Sequence, residues 1–409
     1  MNVIITPTQL NGRVIIPPSK SMAHRYIIAA ALAEGESVIK NVAYSQDIEA
    51  TIRCMTELGA TFTRDGSTLT VQGMGANSMS ANRRMALPRL DCGESGSTLR
   101  FLIPVALAVR GGGVFVGQGR LMERPLQPYF DLFDEKGISY ELKDGELTVS
   151  GLLTPGDYTL PGHVSSQFFT GLMFALPLLE GDSKIVITSP LESGSYVEMT
   201  REAMKLAKVN SDKGDLPGNQ TYAPFTATVE ADWSQAAFFY AAHGLNNPVA
   251  MGGLSPFSIQ GDSQIVHFYQ ELCNSDEELA QDVSQCPDLF PPLAIMAALR
   301  AGHQTHIGGA ARLRIKESDR ITAVVDALRK FGLAVEEFAD GISLVGKPQL
   351  RGDVVIDSYN DHRIAMMAAI AATRATGPVT ITNAECVAKS YPDFWEVYES
   401  LGGQIVRED

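Results

Sequence analysis

The sequence predicts an α/β protein assembled from six similar units shared between two domains. Three observations predict it. First, a cluster of Ser, Asp or Asn, then an Ala-rich apolar helix, then a closing Gly recurs six times along the 409 residues, at roughly 55–75 residue intervals, longer than solenoid repeats. Second, an amphipathic helix followed by Gly and period-two strands lies between these recurrences. Third, the chain is too long for one simple core, and two domains follow from its length. Ala-rich helices and Asp-Gly turns are common in any α/β protein; their ordered sixfold recurrence is not.

The first unit opens on an extended apolar run, Val14-Ile15-Ile16, which Pro17-Pro18 ends because proline cannot donate to a ladder. A helical pattern follows from Ala23 to Ala33, closed by Gly35. Ser19 and Ser21 stand where a cap belongs. A helix N-terminus carries unpaired N–H groups and the positive end of the dipole. With Lys20, Ser21 and Arg25 beside it, this end suits an anion, most simply a phosphate; the alternative is an ordinary capped helix with two solvated charges. The same pattern recurs from Gly93-Glu94-Ser95-Gly96 to Gly111, from Val164-Ser165-Ser166-Gln167 to Gly181, from Asp232 to Gly244, from Cys286-Pro287-Asp288 to Gly302, and from Asn360-Asp361-His362-Arg363 to Gly377. These helices are apolar nearly all round, as at Leu293-Ala294-Ile295-Met296, so they are buried. Three units per lobe would bring polar helix N-termini together at a cleft between lobes.

The second pattern begins at Asp47–Leu58, Leu126–Lys136 and Asp319–Phe331. Each is followed by Gly, a strand, an Asp-Gly pair (Asp65-Gly66, Asp144-Gly145, Asp340-Gly341) and a second strand, a strong hairpin signal. Tyr196–Lys208, Ser263–Leu272 and Asp393–Leu401 supply the other three helices. The segment Asn210 to Gln220, polar and bearing Gly and Pro, reads as the nearest thing to a floppy insert, and it leaves the edge of the third unit poorly defined.

Composition narrows the function classes. The net charge of −14 disfavours nucleic acid and anionic membrane as partners, so a basic site here is local. The five scattered cysteines, Cys54, Cys92, Cys273, Cys286 and Cys386, fit a reducing compartment and neither a disulfide framework nor a zinc site. The N-terminus lacks a basic region and a long apolar core, so no signal peptide is expected. Runs such as Phe101–Val109 are too short or proline-broken to span a bilayer. A cytoplasmic monomer without metal or other cofactor is expected.

Further polar clusters carry chemistry. Lys316-Glu317-Ser318-Asp319-Arg320 places Lys316 and Arg320 four apart, on one face if helical. Asp288 stands where it would cap a helix. Gly119-Arg120-Leu121-Met122-Glu123-Arg124-Pro125 puts two arginines on a loop, and Lys389-Ser390-Tyr391 follows a strand, Val379–Thr382. Each alone reads as a solvated face. Together, Ser19-Lys20-Ser21 with Arg25, the Gly-x-x-Gly-Ser segment ending at Arg100, Arg120 with Glu123-Arg124-Pro125, Ser165-Ser166-Gln167, Pro287-Asp288, Lys316 to Arg320, Asn360 to Arg363 and Ala388-Lys389 closely resemble the 5-enolpyruvylshikimate-3-phosphate synthases, in that family's order from residue 19 to 389.

The resemblance implies a two-lobed inside-out α/β barrel, each lobe three βαβαββ units about a pseudo-threefold axis. Residues 1–18 with 232–409 would form one lobe and 19–231 the other. It implies transfer of the enolpyruvyl group of phosphoenolpyruvate to the 5-hydroxyl of shikimate 3-phosphate, releasing phosphate by addition and elimination. Lys20, Gly96, Arg120, Gln167, Arg320, Arg363 and Lys389 would hold phosphoenolpyruvate. Lys20, Ser21, Arg25, Ser165, Ser166, Gln167, Ser193, Asp288 and Lys316 would hold shikimate 3-phosphate, with Tyr196 lining that pocket. Asp288 would be the base toward the hydroxyl and Glu317 the proton donor to C3, a role Lys316 could share, the sequence not separating the two; Lys20 joins the catalytic set. Proton transfer in both steps asks for two carboxyls in distinct environments. Two departures stand out: Glu94 where many members carry Asn, a carboxylate that needs a cation such as Arg100 nearby, and Arg312 where Asn is frequent. His362 reads as an orienting residue. The rivals are a transferase acting on UDP-N-acetylglucosamine, whose Lys-Asn pair and loop cysteine are missing here, and a non-catalytic anion-binding relative, which would not need Asp288, Glu317 and Lys389.

Overall fold

A computed structural model of the protein describes residues 1–75 and 86–408. The chain divides into two compact units, Pro18–Glu230 and Met1–Pro17 with Ala231–Asp409. Among the described residues of the first, the helices are α1 (Lys20–Leu32), α2 (Gln46–Leu58), α3 (Gly96–Arg110), α4 (Gln127–Lys136), α5 (Ser166–Ala175) and α6 (Gly194–Leu206). In the second they are α7 (Trp233–Gly244), α8 (Ile265–Asn274), α9 (Phe290–Ala298), α10 (Arg320–Lys330), α11 (His362–Ala372) and α12 (Phe394–Ser400).

The two helix types alternate. Odd-numbered helices are buried on nearly every face; all nine residues of α9 are inaccessible, and its Pro291 and Pro292 lie in the first turn, where no N–H partner is needed. Even-numbered helices bury one stripe and expose the other, as in α2 and α10. The packing of α3 on α5 is backbone-close: a Cβ on Gly171 would come 2.6 Å from the Arg100 carbonyl oxygen and 2.5 Å from Tyr129 Oη. Each unit has its own core of these helices.

Among the described residues, three sheets belong to each unit. Strand Arg89–Asp91, α3, strand Gly112–Val116, α4 and the hairpin Ser139–Lys143/Glu146–Ser150 form one βαβαββ repeat, with the first strand pair parallel and the others antiparallel. Leu279–Asp282 to Gly341–Val345 repeats this order around α9 and α10. Elsewhere distant strands complete the pattern. Thr226–Thr228 adds parallel to Glu36–Lys40, and Asn2–Thr6 enters between Val379–Thr382 and Gln404–Glu408.

Four local expectations are corrected. Helix α1 starts at Lys20, three residues before the Ala-rich run, because Ser19 caps it through Met22 N–H. Of the Asp-Gly pairs only Asp144-Gly145 forms the two-residue turn, with φ of 51° and 78°. Pairing of Asp65 with Thr68 and of Phe338 with Gly341 puts Gly66-Ser67 and Ala339-Asp340 there instead. Core-facing residues such as Leu69, Val71, Ile342 and Leu344 set the register. The segment 210–220 is tied down: Asp215–Leu216 pairs with Ser183–Ile187, and the Gln220 side chain bonds Asn210 and Pro217. Lys316 and Arg320 do not share a helical face: Lys316 ends a 3₁₀ segment, Ala311–Ile315, and α10 begins only at Arg320 after its Asp319 cap.

Candidate active site

In the unit Pro18–Glu230, hydrogen bonds gather the N-terminal ends of α1, α2, α3, α5 and α6. Lys20 Nζ pairs with Asp47 Oδ2 at 2.6 Å, in the first turn of α2. The Asp47 carbonyl lies 3.4 Å from Thr98 Oγ1 of α3. Buried Arg25 donates to Ser21 O at 2.7 Å and to Thr200 Oγ1 at 2.9 Å, and its guanidinium lies over the rings of Phe101 and Tyr196. Burial lowers the Arg25 pKa to about 10, against an opposing pull from Tyr196, so it stays cationic near neutrality. Arg100 Nη1 donates to Gln167 Oε1 at 2.8 Å, and Gln167 Nε2 to Ser97 Oγ at 3.0 Å, joining α3 to α5. Ser95 caps α3 and Ser165 caps α5. Buried Ser193 precedes α6 with φ +54°, and Ser166 is buried in the first turn of α5.

Beneath these ends runs a polar relay. His24 Nδ1 meets Thr51 Oγ1, Thr51 Oγ1 meets Thr98 Oγ1, and Thr98 donates to Ser95 Oγ, each at 2.7 Å. Burial first, then Lys20 and Arg25, hold His24 well below its usual pKa, so it is neutral. Arg120 is about half exposed (54%) and 3.5 Å from Glu123, whereas Arg124, on the same loop, is 8% exposed.

In the second unit, carboxylates and cations interlock at the starts of α9, α10 and α11. Arg320, 1% exposed, donates from Nε to Asp361 Oδ2 at 2.9 Å, from Nη1 to Asp288 Oδ1 at 3.1 Å and from Nη2 to Glu317 Oε2 at 2.7 Å. Arg363 Nη2 bonds Asp288 Oδ2 at 2.7 Å and Ser234 Oγ at 3.0 Å. Asp361 is inaccessible, caps α11 through Arg363 N–H and accepts from Ser318 Oγ. Lys389 Nζ donates to Asn360 O at 2.7 Å; Tyr359 and Asn360 both hold left-handed φ values, 53° and 54°, the kind of stored backbone strain that gathers at functional sites. Half-buried Lys316 completes the group. His362 is buried with Nδ1 3.9 Å from Asp361.

The expected capping role of Asp288 is corrected. Asp288 lies inside a 3₁₀ turn, Pro287–Leu289, ahead of α9 and is not the residue at the N-cap of either; two guanidinium groups bond its oxygens. Burial opposes its ionisation, but Arg363, Lys316 and Arg320 outweigh burial and Glu317, and hold the carboxyl well below the usual carboxylate range. Burial lowers Lys316 to about 8, although Asp288 and Glu317 pull it back up. Burial also opposes the Arg320 charge, yet Asp361, Glu317 and Asp288 raise its pKa above the usual arginine value.

Asp47 and Ser234 are structural partners that sequence reasoning did not single out, and Asp361, read there as a helix opening, is also the partner of Arg320. An acid in a first helical turn reads as a dipole partner, which is the only local signal Asp47 offers. Among the described residues no group of three His, Cys, Asp or Glu side chains is placed to hold a metal, and no helix is long and apolar enough to cross a membrane.

The chain is 44% identical over 425 residues to a 3-phosphoshikimate 1-carboxyvinyltransferase of Clostridium beijerinckii, covering 98% of each. It is 44% identical over 424 residues to the Clostridium kluyveri protein of that name, again 98% of each. An EPSP synthase structure from Acinetobacter baumannii shares the fold with a TM-score of 0.78, at 24% identity, over 99% of this chain and 100% of that one. The family model for EPSP synthase (3-phosphoshikimate 1-carboxyvinyltransferase) matches residues 4–398, and with the helix-end clusters above it places this chain in the EPSP synthase family.

Proposed function

We propose that the protein transfers the enolpyruvyl group of phosphoenolpyruvate to the 5-hydroxyl of shikimate 3-phosphate. The observation that carries this reading is the Asp288–Arg320–Arg363–Glu317 cluster, which supplies both anion-binding guanidinium groups and two carboxyls. The hydroxyl oxygen adds to C2 of the enol as a proton reaches C3. The tetrahedral adduct then loses phosphate and a proton from C3, restoring the double bond. Arg320, Arg363 and Lys389 hold phosphoenolpyruvate with Lys20, Arg120, Gln167 and the backbone at Gly96. Ser21, Arg25, Ser165, Ser166, Gln167, Ser193 and Lys316 hold shikimate 3-phosphate with Lys20.

Asp288 accepts the hydroxyl proton and Glu317 serves C3, with Lys316 beside it. Clamped between two arginines, Asp288 is a weak base. A substrate carboxylate that takes over Arg363 and Arg320 frees it, and its pKa then rises toward the range where it accepts a proton. Base strength and substrate binding are thereby linked. The free cysteines fit a reducing compartment such as the cytoplasm. The test is phosphate release from the purified protein with both substrates together. Release with either one alone, or with a UDP-amino sugar in place of shikimate 3-phosphate, overturns the reading.

A further inference from the structure

We propose that His24 is a positioning residue of the transfer site: with its single proton on Nδ1, it starts a one-way hydrogen-bond chain that ties α1, α2 and α3 together one turn below Lys20. The inference rests on the reading above for what Lys20 does, and on hydrogen-bond geometry for the rest. Lys20 and Asp47 pair across α1 and α2 at 2.6 Å. His24 and Thr51 each lie one turn further along the same helices and meet at 2.7 Å, a second rung beneath the first. Thr51 passes the chain to Thr98, and Thr98 passes it to Ser95, the cap of α3.

Counting protons fixes the direction. Ser95 Oγ accepts the Thr98 hydroxyl at 2.7 Å and the Thr98 N–H at 3.1 Å. The Asp47 carbonyl, at 3.4 Å from the same hydroxyl, is the poorer acceptor. With its proton given to Ser95, Thr98 Oγ1 accepts from Thr51. Thr51 Oγ1, its own proton given in turn, accepts from His24 Nδ1. The imidazole is neutral, so its one N–H is the one on Nδ1. His24 Nε2 gives the same answer. It is buried and has no partner among the described residues, and the other tautomer would bury an N–H there with nothing to receive it. The chain therefore holds the lower rung in one arrangement, and the upper rung rides on it. Without the imidazole, Thr51 and Thr98 lose the donor that orders them, and their hydroxyls can reverse. Lys20 must meet two anionic substrates, and misplacing such a group by about 1 Å can cost about a hundredfold in rate.

Two readouts on the full chain test this. The first needs no activity. Nitrogen NMR of the histidine side chains, with His24 identified by its loss in His24→Asn, should show a protonated Nδ1 and a bare Nε2. A proton on Nε2, alone or together with Nδ1, overturns the proposal. The second is phosphate release. His24→Leu fills most of the space but donates nothing, and should lower kcat/KM for both substrates by about tenfold or more. Thr51→Val, which exchanges hydroxyl for methyl, should do the same, and the double variant should stay within about twofold of the less active single one. His24→Asn, whose amide can place an N–H near the Nδ1 position, should recover most of the loss. A purely structural histidine would lower the melting temperature of His24→Leu and leave the kinetics of the folded protein alone. That result overturns the proposal, as do losses that multiply in the double variant, or a His24→Asn no better than His24→Leu. If His24→Leu fails to fold, Thr51→Val against wild type decides. A wild-type protein that releases no phosphate refutes the proposed function instead, and leaves the tautomer result standing.

Discussion

Replacing Asp288 by Asn separates the two jobs this carboxylate holds. Around it, Lys316, Arg320 and Arg363 face Asp288, Glu317 and Asp361, with Arg312 also acting on Lys316. Asp288→Asn removes one negative charge from this cluster. A unit pair about 4 Å apart at an effective dielectric near 20 is worth about 4 kcal/mol before desolvation, and the net worth of a buried pair is far smaller. Arg320 keeps Asp361 and Glu317, and Arg363 keeps Ser234 Oγ, so the fold should lose only about 1–3 kcal/mol. Phosphoenolpyruvate no longer competes with Asp288 for the two guanidinium groups. Its binding should be unchanged or tighter, by up to about tenfold for about 1.4 kcal/mol. Turnover should fall by about 10²–10⁴, the usual weight of a general base. Phosphate release, calorimetric titration with phosphoenolpyruvate in the presence of shikimate 3-phosphate, and thermal melting read the three effects. Turnover within a few-fold of wild type in a folded protein refutes the base assignment. A collapse of phosphoenolpyruvate binding shows instead that Asp288 serves to align the arginines.

Three further variants test the same electrostatics. Lys316 binds anions only when charged, so kcat/KM should fall as pH rises through about 8. Glu317→Gln removes a charge that raises the Lys316 pKa and should move that limb to lower pH; a pH–rate profile with an upward or absent shift refutes the coupling. Arg25→Lys cannot reproduce the bonds to Ser21, Thr170 and Thr200 and should cost about 2–4 kcal/mol in urea unfolding, with weaker shikimate 3-phosphate binding; a loss under 1 kcal/mol contradicts its structural role. Asp361→Asn can still cap α11 but leaves Arg320 short of its Nε partner. It should cost about 3 kcal/mol and raise KM for phosphoenolpyruvate; an unchanged melting temperature counts against this.

How far the site can be read from the chain depends on the range of the interaction. The alternation of all-round apolar helices with striped ones is local, so the six repeats and the helix starts at Ser19, Ser95, Ser165 and Asp361 are legible in the sequence. Ser19 and Asp361 cap as local chemistry says they should. Asp288 does not. A capping aspartate and one clamped by arginines look identical over any short window; the difference comes from Arg320 and Arg363, 32 and 75 residues away. Lys316 shows the same limit. Spacing of four suggests a shared helical face, but the chain turns between Lys316 and Arg320, and the lysine's charge acts on Asp288 through the fold rather than along a helix. Asp47 is a dipole partner until the fold brings Lys20 to it. Charged residues were visible in sequence as a surplus of unexplained cations and acids near helix starts; which acid neutralises which cation is a tertiary fact. That pairing carries the proposed mechanism: a substrate carboxylate that displaced Asp288 from Arg320 and Arg363 would leave it able to serve as the base.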